Sequence, residues 1–194
     1  MRTTYLNPTT YNRLYGIMQY PNVLALRVCL ETGLRIDDVL KLRVTDLNKR
    51  TIRGVADKTD KTFKKVLSAD LANRLREISG SEFIFPHRLK RSEHRTRQAV
   101  WKDVKKAAKL LGLAGNIAPH SARKTYAVEL FKESGLPAVQ KELQHDMAST
   151  TMIYAFADLL DKKETNVRIN GDIIEDLSEK IAEKVVEKLK GVVE

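Results

Sequence analysis

Residues 51 to 67 break the helical texture of this chain, and that break sets its fold class. Thr51, Ile52, Val55, Thr62, Phe63, Val66 and Leu67 suit a pleated surface, while the polar stretch Lys58-Thr59-Asp60-Lys61 between them supplies a turn. The flanks are patterned differently. Asn7-Pro8-Thr9 offers a cap and an N1 proline for a helix to about Met18, and Pro21 opens a strongly apolar helix, NVLALRVCLETG, that Gly33 terminates. Arg35 to Leu42 reads as a short third helix with Ile36, Val39 and Leu40 inward. After the hairpin, a helix over 68 to 78 is capped by Ser68 or Asp70, and Phe83-Ile84-Phe85 before Pro86 predicts a short strand or edge segment. A basic helix is expected from Ser92 to about Leu111 and another from His120 to Ser134, ended by Gly135, with Pro137 starting a shorter one. Ser149 or Thr150 caps a last helix carrying Tyr154. The expected fold is mainly α with a small antiparallel β-sheet (α+β).

At 194 residues the chain can build one substantial core. Its domain is expected over 1–160, followed by a polar linker at 161–172. Over 173–194, Ile173, Leu177, Ile181, Val185 and Leu189 recur every four residues beside a Glu stripe and a Lys stripe, which predicts an amphipathic helix. Its apolar seam needs a partner surface, either its own domain or a neighbouring protomer. The formal charge of +10 points to an anionic partner, nucleic acid before an acidic membrane surface. Cys29 is the sole cysteine and sits in an apolar run, so neither a disulfide framework nor a Cys-based zinc site can be built. No stretch reaches bilayer-spanning length, and a cytoplasmic location is expected.

Within this frame an ordered set of groups carries chemistry: Arg35, Lys58, His120, Arg123, His145 and Tyr154. Arg35 follows a helix terminator and opens a short helix, and its forked donor suits phosphate oxygens. Asp38, one turn later, can orient it. Lys58 sits where the hairpin turns and can deliver a proton to an alkoxide, with Lys61 its nearest rival. His120 and Arg123 share a helix face, and His120 follows Pro119 at a helix start, where backbone N–H groups favour an anion. His94 and Arg97 repeat that spacing but lie in a basic run that reads as a backbone-contacting face. Tyr154 supplies a hydroxyl nucleophile that needs nearby cations or a base to act. The candidates for contact with a nucleic-acid backbone are Lys61, Lys64, Lys65, Arg91, Arg95, Arg97 and Lys124.

These boxes resemble the catalytic domain of the tyrosine recombinase (phage integrase) family. TGLRIDDVLKLRVTDL is similar to the family's first box, DKTDKTFKKVLS to its lysine-bearing hairpin, PHSARKTYA to H-x-L-R-[RH]-T-x-A, and LQHDMASTTMIYAF to L-G-H-x-x-x-x-T-T-x-x-Y. Gln144, Ala122 and Lys124 depart from that pattern without removing a catalytic group. The resemblance covers roughly residues 8 to 158, with no core-binding domain expected ahead of it.

The resemblance implies the tyrosine recombinase catalytic-domain fold and a site-specific recombinase or integrase acting on double-stranded DNA without metal, ATP or cofactor. Tyr154 would form a 3′-phosphotyrosyl link, and Arg35 and Arg123 would hold the non-bridging oxygens. Lys58 would protonate the leaving 5′ oxygen, His120 would assist proton removal from the phenol, and His145 would hydrogen-bond the phosphate. Assembly as a homo-tetramer on DNA is the family's habit. A binding-only accessory module and a topoisomerase IB-like relaxing enzyme are the alternatives.

Overall fold

The computed structural model describes residues 3–143. Its first helix, α1 (Pro8–Tyr15), starts where Asn7 Oδ1 accepts the Thr9 amide at 3.0 Å, with Pro8 filling a position that needs no N–H donor. It ends before Met18, because the amides of Ile17 and Met18 both turn back to the Leu14 carbonyl. Helix α2 (Tyr20–Thr32) is apolar nearly all round, so it can only sit centrally, and Leu24, Leu26, Val28 and Cys29 are fully buried. Burial pushes the Cys29 thiol up to about 12, leaving it inert at neutral pH. Helix α3 (Ile36–Leu40) follows, shorter than the 35–42 expected, and a 3₁₀ turn over Val44–Asp46 leads into the sheet.

That sheet is antiparallel in the order β1 (Leu47–Asn48), β2 (Thr51–Val55), β3 (Thr62–Val66), with Thr51 opposite Val66 and Val55 opposite Thr62. Ile52 and Phe63 turn inward while Arg53, Lys64, Val55 and Val66 face out, the period-2 alternation of a half-covered sheet. The β1 edge was not expected from the sequence, since two residues carry no periodicity.

Helix α4 (Ala69–Ile78) is capped by Ser68, whose Oγ accepts the Leu71 amide at 3.3 Å and donates to Glu31 at 3.0 Å. Phe83–Phe85 forms single bridges rather than a strand: Phe83 pairs with Arg43, and the Ile84 amide reaches the Leu42 carbonyl at 2.9 Å. Helix α5 (Arg97–Leu110) begins five residues later than expected. The cause is local: the Arg95 amide is held by Phe85 O at 2.7 Å, Pro86 bridges His94, and Thr96 caps the helix through the Ala99 amide at 3.2 Å. Helix α6 (His120–Leu143) is interrupted at Gly135, whose φ of 74° no helix interior adopts, close to the break anticipated there. It packs on α2, and the main core lies between α1, α2, α4, α5 and the sheet. Among the described residues no helix is long and apolar enough to cross a membrane.

Candidate active site

Gly33 begins the site. It ends α2 at φ 70°, and a Cβ there would lie 2.4 Å from the Tyr126 ring and 2.7 Å from Leu143 Cδ2, so α2 and α6 approach this closely only through glycine. The chain then extends through Arg35 (φ −71°, ψ 147°), which precedes the first turn of α3 and is half-buried.

Asp38, one turn along α3, is 5% exposed. Its Oδ1 accepts the Asp57 amide at 3.0 Å, whereas its buried Oδ2 has no hydrogen-bond partner. Burial raises the Asp38 pKa, opposed by the Asp57 amide and the charges of Arg35 and Arg123. The bond to Asp57 fastens the hairpin turn to α3 at the residue preceding Lys58. That turn closes with the Ala56 amide on Lys61 O at 2.9 Å, and Asp57 is anchored by an ion pair with Lys41. Lys58 is exposed at its tip.

Helix α6 supplies the remainder. His120 is its first residue and Arg123 lies one turn on, the spacing that puts both on one face. Arg123 is 4% exposed, and its two terminal nitrogens donate to Gly33 O at 2.6 Å and Leu143 O at 2.9 Å. Partial burial first, then the charges of Arg123, Lys124 and Arg35, lower the His120 pKa from its ordinary 6.5, so the imidazole is neutral at neutral pH.

Arg35, Asp38, Lys58, His120 and Arg123 all line one cleft of about 680 Å³. Lys61, Lys64 and Lys65 are not among its lining residues, which separates Lys58 from its rivals on the same hairpin. His145, Tyr154, the linker expected at 161–172 and the helix expected at 173–194 lie outside the described residues.

Of the backbone-contact candidates, Arg97 lines the cleft and pairs with Asp37 at 3.2 Å, while Lys61, Lys64 and Arg91 are exposed elsewhere. Arg95 departs from the expectation: it is 8% exposed, and its guanidinium donates to Asn22 Oδ1 at 2.6 Å and Gln19 Oε1 at 3.2 Å. It braces the start of α2. Lys65 is also drawn inward, to Glu142, and Lys124 donates to the Thr3 carbonyl. His94 stands on the edge of Phe83 at 5.6 Å and touches the Arg95 carbonyl, and since α5 begins at Arg97 the rival His-x-x-Arg pair shares no helix face.

The cleft also holds residues that the sequence reading passed over: Asp57, Gln98 and Trp101. Trp101 is the chain's only tryptophan and is 47% exposed, with the Lys105 ammonium 5.7 Å from its ring centroid. Its position four residues after Arg97 was the available signal, since that spacing puts both on one wall.

Residues 4–159 match the model of the phage integrase family. The tyrosine recombinase XerD of Lacticaseibacillus casei is 31% identical over 134 residues, covering 63% of this chain and 46% of its own length. The chain spans about half the length of the curated relatives it matches. Among solved structures, the XerH site-specific recombinase in a post-cleavage complex with its difH substrate superposes with a TM-score of 0.65 at 22% identity, over 84% of this chain and 52% of that one. The catalytic domain of bacteriophage HP1 integrase gives 0.59 at 19% identity, over 80% and 89%. At these identities the superpositions speak for the fold.

Proposed function

Because this chain belongs to the phage integrase family, we propose that it cleaves and rejoins double-stranded DNA as a site-specific recombinase, through a 3′-phosphotyrosyl intermediate on Tyr154. The observation that carries this reading is the shared cleft of Arg35, Lys58, His120 and Arg123, groups drawn from three separate parts of the chain.

In this reading Arg35 and Arg123 hold the non-bridging oxygens of the scissile phosphate. Arg123 is fixed in advance by two backbone carbonyls, so little reorganisation is needed as charge builds on phosphorus. The Tyr154 oxygen attacks phosphorus and the bond to the 5′ oxygen breaks. The phenol proton passes to His120, whose lowered pKa leaves it neutral and able to accept it, and Lys58 gives a proton to the departing oxygen. His145 supports the phosphate. Rejoining runs the same steps backwards, with the 5′ hydroxyl displacing the tyrosine.

The exposed cations Lys61, Lys64, Arg91 and Arg97 serve the duplex backbone in this reading, and assembly on DNA is as a homo-tetramer with the helix at 173–194 linking protomers. Incubation with a nicked suicide duplex tests the chemistry. A covalent protein–DNA adduct is expected from the wild-type chain and from Tyr20→Phe, and none from Tyr154→Phe. An adduct that persists in Tyr154→Phe overturns the assignment.

A further inference from the structure

Lys65 lies on the inner face of the hairpin, opposite Ile52, and reaches the end of α6, where its side chain is only 11% exposed. Its ammonium pairs with the Glu142 carboxylate and also donates to the Glu142 carbonyl at 3.3 Å. The Tyr126 hydroxyl donates to the same carboxylate at 3.1 Å. The next carbonyl along, that of Leu143, accepts from Arg123 at 2.9 Å. Gly33, Arg35, Lys65, Arg123 and Glu142 border one narrow internal space of about 10 Å³, too small to seat more than a single water.

We propose that Lys65 and Glu142 are positioning residues for Arg123, fixing the last turn of α6 so that its guanidinium is held where a phosphate must meet it. This rests on the reading of Arg123 as a phosphate ligand. A buried guanidinium sits where its carbonyl acceptors sit. One acceptor, Gly33, is locked by the contact between α2 and α6. The other belongs to the residue after Glu142, and Glu142 is tied to strand β3 by Lys65 and to the body of α6 by Tyr126. Burial disfavours the ionised carboxylate, but Lys65 and Tyr126 outweigh it, and the net shift is downward, so the carboxylate is ionised at neutral pH. The two partners are unequal. Glu142 keeps 40% of its side chain in solvent, whereas Lys65 without Glu142 would be a nearly buried charge lacking its counter-ion. Loss of Glu142 therefore disturbs the site more than loss of Lys65.

The test reads the guanidinium directly, by NMR-detected hydrogen exchange of its N–H groups, alongside single-turnover cleavage of nicked DNA and equilibrium DNA affinity. Glu142→Gln should raise Arg123 exchange at least tenfold and slow cleavage by up to about 100-fold, the scale of a small misplacement at a reacting centre. DNA affinity should stay within about twofold of wild type, as expected when no phosphate contact is removed. Lys65→Met should act in the same direction more weakly, and Lys65→Arg should restore both. Unchanged Arg123 exchange in Glu142→Gln and Lys65→Met overturns the proposal, as does a loss of DNA affinity that parallels the loss of rate, which would make Lys65 a DNA contact. If the wild-type chain forms no adduct, the recombinase reading falls, while the exchange measurement still decides the positioning role.

Discussion

Arg123 donates to the Gly33 carbonyl at 2.6 Å, joining residues 90 apart in sequence. Gly33 is at once the end of α2, the seat for Tyr126 and an acceptor for a buried guanidinium. Gly33→Ala should therefore fail twice. The left-handed backbone costs about 1–2 kcal/mol for alanine, and the methyl group, meeting Tyr126 at 2.4 Å, adds overpacking of about 1–3 kcal/mol. Urea unfolding should report a loss of roughly 2–5 kcal/mol, the sum of those terms. The fraction that stays folded should cleave nicked DNA more slowly than wild type.

Asp38 holds the hairpin through the Asp57 amide, yet its burial raises its pKa. The sign follows from linkage: the folded state keeps the Asp38 proton to higher pH than the unfolded chain, so Asp38 costs stability once pH rises above the ordinary carboxylate value of 3.8. Asp38→Asn keeps an acceptor for Asp57 and removes the charge, and it should be more stable than wild type at neutral pH, with the gain vanishing in acid. Asp38→Ala loses the acceptor as well, frees the turn bearing Lys58, and should slow cleavage more than Asp38→Asn. Urea midpoints at pH 4 and 7 beside single-turnover rates separate the two variants.

The hairpin over 51–67 and the central apolar helix were legible because burial imprints a period on the sequence, and Gly33 and Gly135 announced their own breaks. Clustering of Arg35, Lys58, His120 and Arg123 was legible only as an ordered set of residue types. What the sequence could not show is which cations are occupied inside the fold. Arg91 and Arg95 look alike in HRLKRSEHRTRQ, yet one is solvated and the other spans Asn22 and Gln19, partners more than 70 residues away. Lys65 was hidden in the same way, since its ion-pair partner lies 77 residues further on.

His120 gives the site an acid limit. Its folded pKa lies below the ordinary 6.5, chiefly through partial burial and then the surrounding arginine and lysine charges. The unfolded chain therefore takes up this proton first as pH falls, and stability drops as pH passes downward through 6.5, levelling off once the folded imidazole is protonated too. Cleavage should be level at neutral pH and fall in acid with an inflection below 6.5. His120→Gln should cleave slowly at every pH and should flatten this part of both profiles. A rate that climbs on acidification through this range would contradict a neutral, proton-accepting His120.

Arg95 and Arg91 form the sharpest contrast between a cation that serves the fold and one free to serve a ligand. Arg95→Ala would leave Asn22 Oδ1 and Gln19 Oε1 without their donor beside the Asp103 carboxylate, which also accepts from Asn22 at 2.7 Å. Breaking a buried charged hydrogen-bond network of this kind costs about 2–4 kcal/mol. DNA affinity of the folded fraction should be unchanged, because that guanidinium is nearly buried and bonded to Asn22 and Gln19. Arg91→Ala, at an exposed position, should leave stability within about 0.5 kcal/mol. It should weaken DNA binding across sequences and reduce the salt slope of the affinity by about 1 if it neutralises a phosphate. Urea unfolding and salt-dependent anisotropy on both variants check the pair, and the reverse pattern would return Arg95 to the DNA-facing surface.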